Sequence, residues 1–278
     1  MVKLVSVGFR GDAVPPAGGV DMQRICGRND VGTYTLSVVE SYLELSNQAA
    51  DAVQQTLERR PDAAITVPTG QTPLGMYREL IRRIEDGTVD VSQVHVFCLD
   101  DYLGQSRHDE ASLTRWLYNE FLTPAGIPEE HIHHVPSTAA DPIAAAAQYE
   151  ADLEALGGLE LAVVGLGRNG HVAFNEPGSP PDSRTRVIDL TEESRQQSAA
   201  YWEGDAAIPE QAVTMGLGTI LSARKIVLIA SGEDKSEIVR RSLEEEPTLE
   251  VPGSWLKQAD ERLHVILDRA AAGGLATR

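Results

Sequence analysis

Apolar residues along this chain follow two alternating rhythms. Between Tyr42 and Arg60, the residues Leu43, Leu45, Ala49, Val53 and Leu57 fall roughly on one helical face, and Pro61 stops the run. After it come short unbroken apolar runs, Ala63 to Val67, Val94 to Leu99, Leu159 to Gly165 and Lys225 to Ala230, with His264 to Leu267 as a later candidate. Such runs suit strands buried on both faces. Helical stretches lie between them, at Pro73 to Glu85, Ser112 to Phe121, Pro142 to Leu156 and Lys235 to Leu243. This alternation predicts an α/β fold with a doubly wound, mostly parallel sheet and helices on both faces. Residues 1–33 carry Pro15, Pro16 and several glycines, without a period beyond a candidate strand at Lys3 to Val7. They read as an irregular N-terminal extension ahead of one α/β domain over 34–278.

In open parallel sheets, ligands sit beyond the carboxyl ends of the strands, so the residues leaving each strand carry the candidate chemistry. The first such stretch is Pro68-Thr69-Gly70-Gln71-Thr72-Pro73. Thr72 suits an N-cap and Pro73 a first helical residue, which would aim amides and hydroxyls of Thr69 to Thr72 outward as a phosphate cradle. A merely well-capped turn uses the same residues. The second is Asp100-Asp101 after the run ending at Leu99. Desolvation and mutual repulsion raise a carboxylate's pKa, which suits a general base, although caps and solvated turns also favour Asp.

The third stretch runs from Gly165 to Pro177 and contains Gly167, Asn169, His171 and Glu176. Here a carboxylate can orient an imidazole and support its charged form. The glycines formally spell the dinucleotide pattern G-x-G-x-x-G, with Asp189 further on. That pattern must open a helix, and Asn175, Pro177, Gly178, Pro180 and Pro181 follow too soon for one. The fourth is Lys235 at a predicted helix start, where a cation opposes the helix dipole unless an anion lies nearby.

Lys and Arg total 24 against 42 Asp and Glu, for a formal charge of -18. This balance argues against nucleic acid and anionic membrane surfaces as partners, and an anionic small-molecule substrate would need a locally positive pocket. Of the two cysteines, Cys26 and Cys98, the second lies inside an apolar run and reads as a free buried thiol, which fits a reducing compartment. The apolar run after Met1 is too short for a secretory signal, and no segment reaches membrane-spanning length, so a cytoplasmic protein is expected. His131, His133 and His134 lack a Cys or carboxylate at the usual ligand spacings, and no metal is expected there.

Taken in order from Tyr42 to Asp268, these motifs resemble the glucosamine-6-phosphate deaminase (isomerase) family, within the sugar-phosphate isomerase/6-phosphogluconolactonase-like superfamily. Pro68 to Pro73 is similar to its phosphate loop, Leu99-Asp100-Asp101-Tyr102 to its L-D-E-Y, and Gly167 to Pro177 to its G-x-[DN]-G-H-I-A-F-N-E-P. Ser183 to Arg186 and Ser231-Gly232-x-x-Lys235 also correspond. The resemblance implies a Rossmann-like sheet, no organic cofactor, and conversion of an amino-sugar 6-phosphate to a ketose phosphate with release of ammonia. Asp100 would move a proton between C2 and C1. His171 would open the sugar ring, supported by Glu176 and Asn169. Thr69, Gly70, Gln71, Thr72 and Lys235 would hold the phosphate, with Asp101 and Gly167 also among the substrate-binding residues.

Three positions depart from the family pattern. Asn169 stands where some members carry Asp, and its amide can accept a hydrogen bond from the ring but supplies no charge. Ala200 stands where a phosphate-clamping arginine is usual, and Ile188 where hexameric members carry an activator-site lysine. An unregulated enzyme is therefore expected. A sugar-phosphate lactonase is the alternative enzyme, and a sugar-phosphate-sensing module the non-catalytic one. The continuation of the histidine loop into Phe174-Asn175-Glu176-Pro177 disfavours the first, and the absence of a helix-turn-helix pattern in residues 1–41 disfavours the second. The sequence leaves homo-oligomerisation open.

Overall fold

The computed structural model describes residues 33–199 and 208–276. The extension up to residue 32, with the candidate strand Lys3 to Val7 and Cys26, lies outside the described residues, as does Ala200. The strands are β1 (Thr35–Val39), β2 (Ala64–Thr66), β3 (His95–Phe97), β4 (Asp100–Tyr102), β5 (Ile132–His133), β6 (Leu161–Gly165), β7 (Arg186–Asp189), β8 (Gln211–Thr214), β9 (Ile226–Ala230) and β10 (Leu263–Asp268). The helices are α1 (Tyr42–Arg59), α2 (Leu74–Glu85), α3 (Leu113–Leu117), α4 (Pro142–Ala155), α5 (Glu192–Ala199), α6 (Leu217–Leu221) and α7 (Ser236–Glu244).

Seven strands form one sheet in the order β1-β10-β9-β6-β2-β3-β5, with every pairing parallel. All five residues of β9 are buried, as are Leu161 to Val164 of β6, so the apolar runs do lie within the sheet. Alternation along β6 sends Ala162 and Val164 into one core, with Tyr149 and Leu153 of α4 and Ile238 of α7. It sends Leu161 and Val163 into the other, with Leu45 and Val53 of α1 and Leu80 of α2. Helices thus cover both faces. From β2 the chain builds outward through β3 and β5, whereas from β6 it builds the other way through β9 and β10. The crevice between the carboxyl ends of β2 and β6 is therefore the switch point at which α/β sheets bind ligands.

A second sheet, antiparallel and ordered β4-β8-β7, sits over this edge and was not foreseen in the apolar pattern. Leu99 links the two sheets, its carbonyl accepting from Met215 N–H at 2.7 Å, and the chain then re-enters strand geometry at Asp100 instead of turning. The start of α2 also differs from expectation, since the helix opens at Leu74. The amide of Gly75 in its first turn donates to the Tyr42 hydroxyl at 2.8 Å, and that hydroxyl donates to the Thr72 carbonyl at 3.0 Å. The apposition of α1 and α2 requires glycine at 75, where a Cβ would stand 2.1 Å from Ser46 Oγ. Among the described residues, no helix is long and apolar enough to cross a membrane.

Candidate functional site

The neighbouring strands β9, β6, β2 and β3 are followed by the segments that carry Lys235, His171, Thr69 to Thr72, and Asp100. All four segments line one cavity of about 910 Å³ of empty space, open to solvent. Of the residues singled out in the sequence, Thr69, Gly70, Gln71, Thr72, Asp100, Gly167, His171 and Lys235 line it. Asp101, Asn169 and Glu176 stand behind its wall. The opposite wall, from α3, presents Leu113 and Trp116, two apolar contributors the sequence did not single out.

The adjacent aspartates have opposite surroundings because successive residues of a strand face opposite ways. Asp100 is 7% exposed, and among the described residues no cation lowers its carboxyl. Burial, and next the charge of Asp101, push its carboxyl up to about 7, against the opposing hydrogen bond from the Phe174 amide. Asp101 instead serves the N-terminus of α3. It accepts from Ser112 Oγ at 2.7 Å, Leu113 N–H at 2.9 Å, Thr114 N–H at 3.2 Å and Tyr102 N–H at 2.8 Å. Its carboxyl too is raised by burial, against those bonds. The structure thus places Asp101 in a capping role behind the cavity and not among the groups facing it.

Around His171 the arrangement is a network. Its Nδ1 lies 3.2 Å from Ser194 Oγ and 3.8 Å from Glu176 Oε2. Glu176, 3% exposed, accepts from Asn169 Nδ2 at 2.8 Å and from the Thr191 hydroxyl at 3.2 Å. Burial acts to raise the Glu176 carboxyl, but the polar side chains of His171, Ser194 and Asn169 around it and the charge on His171 outweigh it and leave it below its ordinary value. Asn169 does not support the ring directly, as the resemblance had suggested. Its Oδ1 accepts from the backbone N–H of His171 at 3.1 Å, so the amide joins the carboxylate to the loop that carries the ring. Gly167 has a steric reason. A Cβ there would stand 2.3 Å from His171 Nε2, so the ring can lie over this residue only when it is glycine.

At the anion end, Gly70 takes φ +104°, a conformation that suits glycine and folds the Thr69 to Thr72 turn toward the cavity. The Tyr77 hydroxyl donates to the Pro68 carbonyl and fixes where that turn begins. Lys235 donates from Nζ to the Leu166 carbonyl at 2.8 Å, and burial lowers its pKa. Its loop is tied to Asp268, which accepts from Gly232 N–H at 3.1 Å, Ala271 N–H at 2.8 Å and the Ser231 hydroxyl.

Ile188 of β7, half-buried, packs against the apolar cluster of Tyr102, Phe174 and Leu190, and that contact accounts for an apolar residue. His133 lies at the far end of the sheet with His95, Nε2 to Nδ1 at 3.1 Å, and the His131 ring packs on His95 with centroids 4.3 Å apart. Among the described residues, no group of three or more His, Cys, Asp or Glu is arranged to hold a metal ion. Cys98 is buried, which pushes its thiol pKa up.

Sequence reasoning missed Ser194, Thr191 and Tyr42. Thr191 and Ser194 stand in Thr-Glu-Glu-Ser, which reads as an ordinary helix cap followed by a polar helix without an apolar stripe. The bond from Ser194 N–H to Thr191 Oγ1 at 3.2 Å confirms the cap. Nothing in that pattern marks an approach to the imidazole.

Comparison with known proteins shows the family of the chain. Residues 39–265 match the family model described as glucosamine-6-phosphate isomerases/6-phosphogluconolactonase. The glucosamine-6-phosphate deaminase of Lysinibacillus sphaericus (strain C3-41) is 37% identical over 218 residues, 78% of this chain and 92% of that protein. A solved structure of a monomeric glucosamine-6-phosphate deaminase superposes with a TM-score of 0.82 at 35% identity, covering 86% of this chain and 99% of that one. A 6-phosphogluconolactonase from Trypanosoma brucei shares the fold, with a TM-score of 0.70 at 19% identity over 88% of this chain and 100% of its own. The chain belongs to the glucosamine-6-phosphate isomerase/6-phosphogluconolactonase family.

Proposed function

We propose that this protein is a glucosamine-6-phosphate deaminase, converting glucosamine 6-phosphate and water to fructose 6-phosphate and ammonia. The observation that carries this reading is that one cavity holds a buried carboxyl raised to about 7, an imidazole backed by a carboxylate, and an anion-holding turn with a lysine. The sugar phosphate lies with its anionic end against Thr69 to Thr72 and Lys235. Its reacting carbons lie between Asp100 and His171. His171 Nε2 takes the proton of the anomeric hydroxyl and returns one to the ring oxygen, which opens the ring. Asp100 as carboxylate removes the C2 proton while the substrate's ammonium group gives up a proton that ends on O1, giving an enolamine across C1 and C2, and Asp100 returns its proton to C1 to leave a protonated imine at C2. Water adds at C2 and the C–N bond breaks, releasing ammonia and the ketose phosphate.

A carboxyl near 7 is suited to both halves of that transfer, since at neutral pH its two protonation states are comparably populated. The identity to deaminases supports this reaction over lactone hydrolysis, because the lactonase likeness lies at the level of fold. Purified protein incubated with glucosamine 6-phosphate should release ammonia and fructose 6-phosphate in equal amounts. Turnover of 6-phosphogluconolactone with no ammonia from the amino sugar would replace the reading with the lactonase one.

A further inference from the structure

His171 meets its carboxylate through hydroxyl groups. The separation of Nδ1 from Glu176 Oε2, 3.8 Å, is too long for a direct hydrogen bond. Between them runs a chain of shorter contacts: His171 Nδ1 to Ser194 Oγ at 3.2 Å, Ser194 Oγ to Thr191 Oγ1 at 3.1 Å, and Thr191 Oγ1 to Glu176 Oε2 at 3.2 Å. Three contacts need three protons and the two hydroxyls supply two, so all three are hydrogen bonds only when the ring nitrogen supplies the third. Directed toward the carboxylate, Thr191 donates to Glu176, Ser194 donates to Thr191, and Nδ1–H donates to Ser194. Directed the other way, Ser194 would donate to a bare Nδ1 and Thr191 to Ser194, and the buried anion would lose the Thr191 hydroxyl donor, keeping from that residue only the backbone N–H at 3.4 Å. A buried carboxylate short of a donor is costly, so the first direction holds.

We propose that Ser194 is a positioning residue. Through Thr191 it links His171 to Glu176 and fixes the proton on Nδ1, leaving the Nε2 lone pair free as the base that opens the sugar ring. Nε2 lies on the Gly167 side of the ring, and Gly167 and His171 both line the cavity. When Nε2 accepts a proton, the imidazolium still donates to Ser194, and the relay brings the carboxylate's charge to bear on it. The catalytic part of this inference rests on the deaminase reading. The placement of the proton does not.

The test combines nitrogen-15 NMR of the His171 ring with kinetics of Ser194→Ala and Ser194→Thr. In the wild-type protein with a neutral ring, Nδ1 should show the shift of a protonated nitrogen and Nε2 that of a bare one. In Ser194→Ala, the Nε2–H form should grow and kcat should fall about tenfold, the lower end of what outer-shell partners contribute in analogous metal sites, with KM within a factor of about two. Ser194→Thr, which keeps the hydroxyl, should restore both. A wild-type ring protonated on Nε2 would overturn the proposal even if the alanine variant failed to fold. An alanine variant that lost rate while its tautomer stayed unchanged would overturn it as well. If the wild-type protein released no ammonia from glucosamine 6-phosphate, the functional reading would fail, and the NMR result would still decide where the proton sits.

Discussion

Asp100 and Glu176 are both buried carboxyls at one sheet edge, yet their environments drive them apart. Asp100 has one opposing backbone amide and the charge of Asp101 beside it, and it rises to about 7. Glu176 is enclosed by Asn169, Thr191, Ser194 and His171, and it falls below its ordinary value. Burial alone therefore decides neither. At Asp100 burial prevails over a single opposing amide, whereas at Glu176 the surrounding polar groups and the charge on His171 prevail over burial. This balance separates a group able to exchange a proton at neutral pH from one held as a fixed anion.

The contrast breaks most severely when the exchanging group is removed. Asp100→Asn should lower kcat by about 10²- to 10⁴-fold, the usual contribution of a positioned acid-base group, in a steady-state ammonia assay. Removing the fixed anion should cost less. Glu176→Gln should lower kcat by about 10- to 100-fold, because an amide keeps part of the hydrogen bonding but carries no charge to support the imidazolium.

Part of this contrast was readable in the sequence. The loop from Gly165 to Pro177 carries most of the His171 support within a few residues, and local motifs survive without a tertiary model. Which of Asp100 and Asp101 faces the cavity was not readable. That choice depends on β4 pairing with β8 in the register Asp100 to Thr214, and β8 is a four-residue strand with no apolar run to announce it. Ser194 and Tyr42 were hidden for a similar reason, since each acts on a segment distant in sequence while looking locally like a helix-start residue. The parallel sheet was legible because β6 and β9 are apolar on both faces, whereas β1, with its partly exposed pattern, was not.

Stability should sharpen the comparison with effects of opposite sign. The Asp100 carboxyl is raised in the folded state, so its contribution is present below its unfolded pKa of about 3.9 and is lost as pH rises through about 7. Asp100→Asn should therefore unfold at a higher temperature than wild type near pH 8, by several degrees, and lose that advantage near pH 4. The Glu176 carboxyl is depressed, so its contribution is present above the unfolded value and lost on acidification. Glu176→Gln should unfold at a lower temperature near pH 8, and the difference should shrink in acid. Thermal unfolding followed at both pH values checks the two signs together.

The smallest effect concerns the neighbouring charge. Because the charge of Asp101 ranks second to burial in raising Asp100, Asp101→Asn should move the acid limb of the kcat profile to lower pH by less than about one unit. The same change should weaken the α3 cap and lower the unfolding temperature modestly.

The most direct measurement is a carboxyl-detected NMR titration of the wild-type protein, with the Asp100 and Glu176 signals assigned from Asp100→Asn and Glu176→Gln. Asp100 should titrate near 7, with Glu176 remaining ionised to below the usual glutamate value. An Asp100 signal titrating near 4, beside Glu176, would contradict the division between proton carrier and fixed anion.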